Sequence, residues 1–326
     1  MSKKSKLFSL LVPCIFLFTV VLPPALAQEK FPTRTINFLI PGPPGGTTDI
    51  NFRALADVAS KILGQSMVCV NKPGASGTLA PASLKAVKPD GYTLSVAFMN
   101  VLAIPHMEDV AFDPLKDFTY IVRLYCSTFG IVVKTDSPWK TLKELVEYAR
   151  QHPNEIKYST SAPGGVHHFA MENIAAKEGI KWKIVPYPGG FEAATAVVGG
   201  HVQAASQDSS WAPYVHSKKL RVLAVFGEER NKYLPDVPTL KELGYSPWAS
   251  PVGIIGPANM DKKITKILHD TFKEAANAPI FQKALETLLI NPCYLDSQGY
   301  DQFMRESAPK FKEAVYLVGL EKKKKP

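Results

Sequence analysis

The chain has 326 residues, of which 46% are hydrophobic and 21% are charged, so it can bury a sizeable core and is not a disordered tail. The sequence contains one long apolar run, at its start, which excludes a membrane protein with several spanning helices. The net charge of +9 comes largely from lysines near the two ends. Because no aromatic residues interleave the C-terminal lysines, we expect no nucleic-acid partner.

The first 27 residues have the three parts of a secretory signal peptide. Lysines within the first six residues precede an apolar run from Leu7 to Leu22, and small residues follow up to Ala27. We therefore expect residues 1–27 to be removed during export. An uncleaved N-terminal anchor is the alternative.

Three cysteines would remain after this cleavage, namely Cys69, Cys126 and Cys293. An odd number argues against a disulfide framework, and their spacing matches no metal motif. One disulfide with one free thiol stays open. We expect neither a metal nor a cofactor.

Hydrophobic periodicity predicts strands and helices that largely alternate, which is typical of an α/β protein whose sheets carry helices on their faces. The predicted elements, in chain order, are strand 35–40, helix 47–63, strand 67–70, helix 79–87, strand 92–98, helix 141–151, strand 155–158, helix 166–179, strand 183–186, helix 192–198, strand 202–206, helix 212–216, strand 220–226, strand 252–256 and helix 297–320. The C-terminal third is otherwise mainly helical.

A glycine turn follows the first predicted strand and leads directly into a helix. Such a turn presents backbone N–H groups and the positive end of the helix dipole to a ligand, which suits an anion. Gly45 and Gly46 have no side chains, so an oxygen can approach their amides closely. Asp49 is better explained as a capping residue than as a ligand group. The segment matches neither a P-loop nor a dinucleotide motif, and a tight turn without a ligand is the alternative.

A second turn of the same kind spans residues 159–165 and adds hydroxyl groups. If the two turns face each other, each can donate two or three hydrogen bonds to one carboxylate. At roughly 1.5–3 kcal/mol per bond to a charged group, offset by association costs, the total reaches about the 8 kcal/mol of micromolar binding. Two opposed turns therefore predict a carboxylate site.

Two further positions are candidate contacts to the other end of a ligand. Asp208 follows a predicted strand, and Asn100 follows another. Either region can read a second carboxylate, whereas the acidic Asp208 can instead favour an amino group. An exported hydrolase that uses Ser161 and His168 is a weaker alternative, because no activating third residue is visible. The adjacent His167 and His168 point in different directions on a helix and cannot both ligate one metal.

Several long segments resemble one protein family. PGPPGGTTDINFRALA, NKPGASGTLAPASLKAVKPDGYTL, FTYIVRL, YPGGFEAATAVVGGHVQA and LPDVPTLKELGY occur in order over nearly all of the chain after residue 27. Together they resemble the periplasmic substrate-binding proteins of tripartite tricarboxylate transporters, also called Bug receptors.

The resemblance implies a two-lobed periplasmic-binding-protein fold, with mainly parallel or mixed sheets and a ligand cleft between the lobes. Residues 28–127 with 240–326 would form one lobe, and residues 128–239 the other. It further implies a periplasmic protein, which we expect to be a monomer, that delivers a small organic mono- or dicarboxylate to membrane permease subunits driven by an ion gradient. A periplasmic accessory protein that presents its ligand to a membrane receptor kinase is the alternative.

By position, the resemblance implies ligand contacts in both glycine loops: Pro44, Gly45, Gly46, Thr47 and Asp49 in the first, and Ser161, Ala162, Pro163, Gly164, Gly165 and His168 in the second. Three positions depart from the usual pattern. Gly42 replaces an aromatic residue, which frees volume for a bulkier acid. Ala162 replaces a glycine, and Gly165 replaces a serine or threonine.

Overall fold

The computed structural model describes residues 31–161, 163–248 and 250–322. The predicted signal peptide and the candidate residue Ala162 lie outside the described residues. From Pro32 onward the described residues belong to one compact unit. Within them, no helix is both long and apolar enough to cross a bilayer.

Eleven strands occur in the described ranges: β1 (Ile36–Ile40), β2 (Met67–Asn71), β3 (Thr93–Ala97), β4 (Phe118–Cys126), β5 (Phe129–Lys134), β6 (Lys157–Thr160), β7 (Lys183–Pro186), β8 (Ala204–Asp208), β9 (Leu220–Val225), β10 (Pro251–Pro257) and β11 (Asn291–Leu295). The α-helices of the same ranges are α1 (Thr47–Leu63), α2 (Leu79–Ser83), α3 (Asn100–Met107), α4 (Leu142–Gln151), α5 (Val166–Glu178), α6 (Gly190–Val198), α7 (Ala212–His216), α8 (Lys262–Ala276), α9 (Pro279–Thr287) and α10 (Ser297–Leu317).

The strands form two mixed sheets. The first is six-stranded, with the order β11-β4-β10-β3-β1-β2, and the second is five-stranded, with the order β7-β6-β8-β5-β9. In each sheet the strands that lead into the glycine turns, β1 and β6, pair in parallel with both neighbours. Strands β10 and β5, by contrast, pair antiparallel with both of their neighbours. The predicted two-lobed α/β fold is confirmed.

The chain passes between the sheets where β4 leads into β5, and it returns between β9 and β10. The two passages lie side by side, because the amide of Ser127 donates to the carbonyl of Ser250 at 2.8 Å. Strands of the first sheet fall within the predicted segments 28–127 and 240–326, and those of the second within 128–239. The lobe boundaries themselves stay a prediction.

A third connection between the lobes is non-covalent. Leu289, between α9 and β11, is buried within the apolar cluster of the second sheet, beside Val132 and Val225. Its carbonyl accepts hydrogen bonds at 2.7 Å from the hydroxyl of Thr128 and from the side-chain amide of Asn231. These bonds satisfy a buried carbonyl and fix the loop of the first lobe to the second.

Six helix starts show two different ways in which the first amides of a helix are treated. Thr141, Asp261 and Asp296 cap helices α4, α8 and α10 through side-chain oxygens. Helices α1, α5 and α6 instead begin after glycine and have no side-chain cap. The first amides of a helix have no intrahelical acceptor, so these three helices keep donors that a ligand can use.

Several predicted boundaries are wrong by a few residues. The strand predicted at 155–158 is Lys157–Thr160, because Asn154 adopts a left-handed conformation and its amide bonds to the carbonyl of Lys181 before the strand begins. The helix predicted at 79–87 ends as an α-helix at Ser83 and continues as a 3-10 turn over Leu84–Ala86.

Cys126 and Cys293 form a disulfide that joins β4 to β11, whereas Cys69 is a free thiol. The open alternative of one disulfide with one free thiol is therefore the observed state. Burial raises the pKa of the Cys69 thiol to about 11, which leaves little reactive thiolate at neutral pH.

The disulfide closes a loop across 167 residues, so its removal should release considerable chain entropy in the unfolded state. We expect the double variant Cys126→Ser/Cys293→Ser to lose roughly 2–5 kcal/mol of stability. Thermal unfolding measures this, with Cys69→Ser as the control. Equal melting temperatures for the double variant and the control would contradict the prediction.

Candidate functional site

A cavity of about 290 Å³ is lined by residues that follow strands β1, β3, β6, β7 and β8. Both sheets thus contribute the carboxyl ends of their strands to one cavity, which is where open α/β sheets bind ligands. The lining combines glycine backbone, short polar side chains and three phenylalanines, Phe98, Phe129 and Phe191.

The first glycine turn reaches the cavity through Pro44, Gly45, Gly46 and Thr47. Gly45 has a φ of +74°, a conformation that costs little only without a Cβ. Its amide and that of Gly46 are already bonded, to a carboxylate oxygen of Asp49 at 2.9 Å and to the carbonyl of Pro43 at 3.1 Å. The expectation that a ligand oxygen bonds to these two glycine amides is therefore corrected, because protein oxygens already accept from them, and the donors left at this turn are those of the first helical residues, beginning with Thr47.

Asp49 holds the first turn in place rather than lining the cavity. It is buried, and it accepts hydrogen bonds from Arg53 and Asn71 at 2.8 Å as well as from Gly45. Burial alone would raise the pKa of Asp49, but these hydrogen bonds outweigh it and lower the pKa below its ordinary value. The Asp49 carboxylate therefore stabilises the turn, and Arg53 neutralises its charge.

The second glycine turn contributes Ser161 and, at the start of α5, Val166 and His167. Gln207 fixes Ser161 from both sides, because its amide nitrogen donates to the hydroxyl at 2.6 Å and its amide oxygen accepts from the Ser161 amide at 3.2 Å. The ring of His167 stacks on Phe129, with centroids 5.2 Å apart.

Four candidates in the second turn do not line the cavity in the described residues, namely Pro163, Gly164, Gly165 and His168. His168 instead accepts a hydrogen bond at Nδ1 from the amide of Gly164, at 3.1 Å. This bond assigns the ring proton to Nε2, which lies 3.9 Å from Glu172. His168 therefore supports the shape of the turn.

A third helix start, at α6, was not among the candidate residues. Gly189, Gly190, Phe191 and Glu192 all line the cavity. A Cβ on Gly190 would lie 2.4 Å from the hydroxyl of Ser210 and 2.6 Å from a carboxylate oxygen of Asp208, so only glycine fits this wall. The sequence carried a signal for it, since Pro188-Gly189-Gly190 follows a predicted strand and precedes a predicted helix.

Asn100 and Asp208 both line the cavity, on opposite lobes. Asn100 donates from its side chain to the carbonyl of Ser76 at 2.8 Å. Asp208 accepts from the hydroxyl of Thr47 at 2.6 Å, which joins the end of β8 in the second sheet to the start of α1 in the first. A second bond across the cleft runs from the Ser76 hydroxyl to the carbonyl of Pro163, at 3.3 Å.

Charge is unevenly distributed around the cavity. Asp208 and Glu192 are its carboxylates, and no lysine or arginine occurs among the described residues that line it. Within the described ranges, no group of three or more histidine, cysteine, aspartate or glutamate side chains is arranged to hold a metal ion. An anion bound here can be held by backbone and side-chain donors and by helix dipoles.

Burial lowers the pKa of His168 below its ordinary value of 6.5, and the nearby Glu172 carboxylate opposes this shift only in part. The folded protein thus favours the neutral ring, because a proton on Nδ1 would break the bond from Gly164. The neutral ring of His168 contributes its full stabilisation of the folded state above about pH 6.5, and this contribution is lost as the pH falls through the lowered pKa.

We therefore expect wild-type protein to lose more stability between pH 7 and pH 5 than His168→Asn, whose side-chain oxygen can accept the same bond without titrating. Thermal unfolding at several pH values measures the difference, with the exposed His201→Asn as the control. A wild-type pH dependence matched by His168→Asn would refute this role.

Comparisons with known proteins extend over nearly the whole chain. A Cupriavidus necator protein described as "UPF0065 protein in gbd 5'region" is 42% identical over 301 residues, which cover 92% of each chain. A solved structure described as a periplasmic transporter has a TM-score of 0.82 and 28% identity, and the match covers 89% of this chain and 99% of that one.

A protein from R. palustris that was solved with adipate also has a TM-score of 0.82, with 26% identity over 89% of this chain and 98% of its own. Finally, residues 51–320 match the family model described as "Tripartite tricarboxylate transporter family receptor". The resemblance of the sequence motifs is thereby confirmed, and the chain belongs to the receptor family of the tripartite tricarboxylate transporters.

Proposed function

We propose that this protein captures a small organic carboxylate in the cavity between its lobes and delivers it to a membrane permease. The observation that carries the proposal is that α1 and α5, one from each lobe, both begin at the same cavity after a glycine that supplies no side-chain cap. Their first-turn amides and dipoles can hold a carboxylate that touches both lobes.

A ligand that bonds to both lobes has a higher affinity for the closed arrangement than for an open one. Closure is then driven by that difference in affinity, and the closed receptor is the form that docks on the permease. The relative solved with adipate supports a small organic acid as the chemical class. The predicted export signal and the family support a periplasmic location.

The alternatives have less support. The hydrolase alternative requires His168 to activate Ser161, but the ring nitrogen of His168 accepts from Gly164 and the hydroxyl of Ser161 accepts from Gln207. A sensory accessory protein would use the same cavity. Permease genes beside the gene for this chain would favour uptake, and a receptor kinase gene there would favour sensing.

Isothermal calorimetry and thermal shift with a panel of organic acids test the proposal. We expect at least one small carboxylate to bind with micromolar affinity and to raise the melting temperature. A response to sugars or metal ions, with none to any carboxylate, would end the proposal.

Gly46→Val should abolish this binding, because Gly46 lines the cavity at the start of α1 and a branched side chain there would crowd Pro43, 3.2 Å from the added Cβ, and narrow the space beside the first helical amides. Gly227→Val is a matched control: a Cβ there meets a backbone oxygen at 3.1 Å, against 3.2 Å for Gly46, but Gly227 does not line the cavity. Undiminished affinity in Gly46→Val would count against the site, and equal losses in both variants would indicate a general effect on the fold.

A further inference from the structure

The three helix starts at the cavity differ in charge. Helix α5 has no acidic residue in its first turn, and the Asp49 of α1 is paired with Arg53 away from the cavity. Helix α6 carries Glu192 in its first turn, and Asp208 lies against Gly190 at the same place. The α6 end of the cavity is therefore acidic, and Asp208 also reaches the first residue of α1 through its bond to Thr47, whereas the first turn of α5 has no acidic residue.

Asp208 has the capacity to accept further hydrogen bonds. One carboxylate oxygen accepts from Thr47 at 2.6 Å, and the other accepts from the amide of Ser210 at 3.2 Å. A carboxylate offers about four lone-pair sites, so acceptor capacity remains on the cavity side. The neighbours that hold this wall, Gln207 and Ser210, are almost completely buried, which keeps the carboxylate in a fixed position.

Two hydroxyl groups that line the cavity are also available for hydrogen bonds to a ligand. The hydroxyl groups of Thr48 and Ser250 line it and belong to residues that are only 9% and 8% exposed, yet neither forms a hydrogen bond with the described residues. Neither hydroxyl is fully enclosed by protein atoms, so both remain open to the cavity and can bond to a ligand with several polar atoms.

A second carboxylate on the ligand would meet Asp208 and Glu192 with no lysine or arginine in the described lining to offset the repulsion. Like charges in a poorly solvated site disfavour each other, whereas an ammonium group would be attracted and would donate up to three hydrogen bonds. We propose that the cavity selects a zwitterion, an amino acid whose carboxylate lies at the α1 and α5 starts and whose ammonium group bonds to Asp208.

This inference rests on the proposed function and narrows its ligand class. Under this inference, Asp208 is the main determinant of the preference for a ligand with an ammonium group. Glu192 is exposed at the rim of the cavity, so solvent and salt screen its charge more strongly. Its contribution is correspondingly the smaller of the two.

Calorimetry at neutral pH with three sets of acids of equal carbon number tests the inference: alanine, propionate and malonate; γ-aminobutyrate, butyrate and succinate; ε-aminocaproate, caproate and adipate. In the set that binds best, we expect the amino acid to bind at least about tenfold more tightly than the unsubstituted acid, and the dicarboxylate to bind most weakly. Tightest binding by a dicarboxylate would overturn the inference but leave the proposed function intact. Binding by none of the nine would overturn the inference, and a lack of binding by every acid of the wider panel would end the proposed function as well.

Charge-neutral variants test the assigned residues. The ratio of affinities for the amino acid and its unsubstituted counterpart should fall about tenfold in Asp208→Asn and less in Glu192→Gln. It should stay unchanged in Asp57→Asn, which removes an exposed carboxylate on α1 that pairs with Lys61. Because the ratio compares two ligands in one variant, a general distortion of the cavity does not mimic the effect.

An unchanged ratio in the double variant Glu192→Gln/Asp208→Asn would refute the assignment. If Asp208→Asn does not fold, the ligand series on wild-type protein and the ratio in Glu192→Gln decide between the outcomes. A gain in dicarboxylate affinity in either variant would support the acidic wall, because neutralising the carboxylate relieves its repulsion of a second carboxylate.

Discussion

The backbone amides at the starts of α1 and α5 are the groups on which the binding site depends. Both helices follow a glycine, and neither has a side-chain cap, in contrast to α4, α8 and α10. A helix start without a side-chain cap has backbone N–H groups with no acceptor inside the helix. A ligand that accepts from them gains the free energy of those hydrogen bonds. The chain uses its own polar side chains elsewhere to shape the turns: Asp49 holds the first and His168 the second.

The two units of strand, glycine turn and helix that form the site could be predicted from the amino-acid sequence alone. A strand, a glycine turn and a capless helix start occur in order around Gly46 and again around Gly165, and both turns reach the same cavity. Local sequence determines such a unit because the φ of +74° at Gly45 and the helical period of α1 are properties of adjacent residues. The prediction that both turns contribute ligand contacts stays a prediction for all of their residues, and Pro163, Gly164 and Gly165 are not among those that line the cavity.

The remaining features depend on residues far apart in the sequence. Thr47 and Asp208 are joined across the cleft although 161 positions separate them, and no periodicity indicates that pairing. Strands β4 and β5 were not predicted, because both are largely buried on two faces and their sequences show no alternation of apolar and polar residues. The acidic character of the cavity likewise follows from α6 approaching β8 so closely that Gly190 touches Asp208.

The anchored loop at Leu289 limits how the two halves can move. It is a leucine in the left-handed region, with φ near +54°, and this unfavourable conformation turns its carbonyl towards Thr128 and Asn231. Thr128 lies in the strand-to-strand passage itself, so the anchor sits beside the axis of any bending. A rotation about this corner would keep both bonds, whereas sliding of one sheet past the other would break them. Two hydrogen bonds to one carbonyl thus favour a hinge motion over a shear motion.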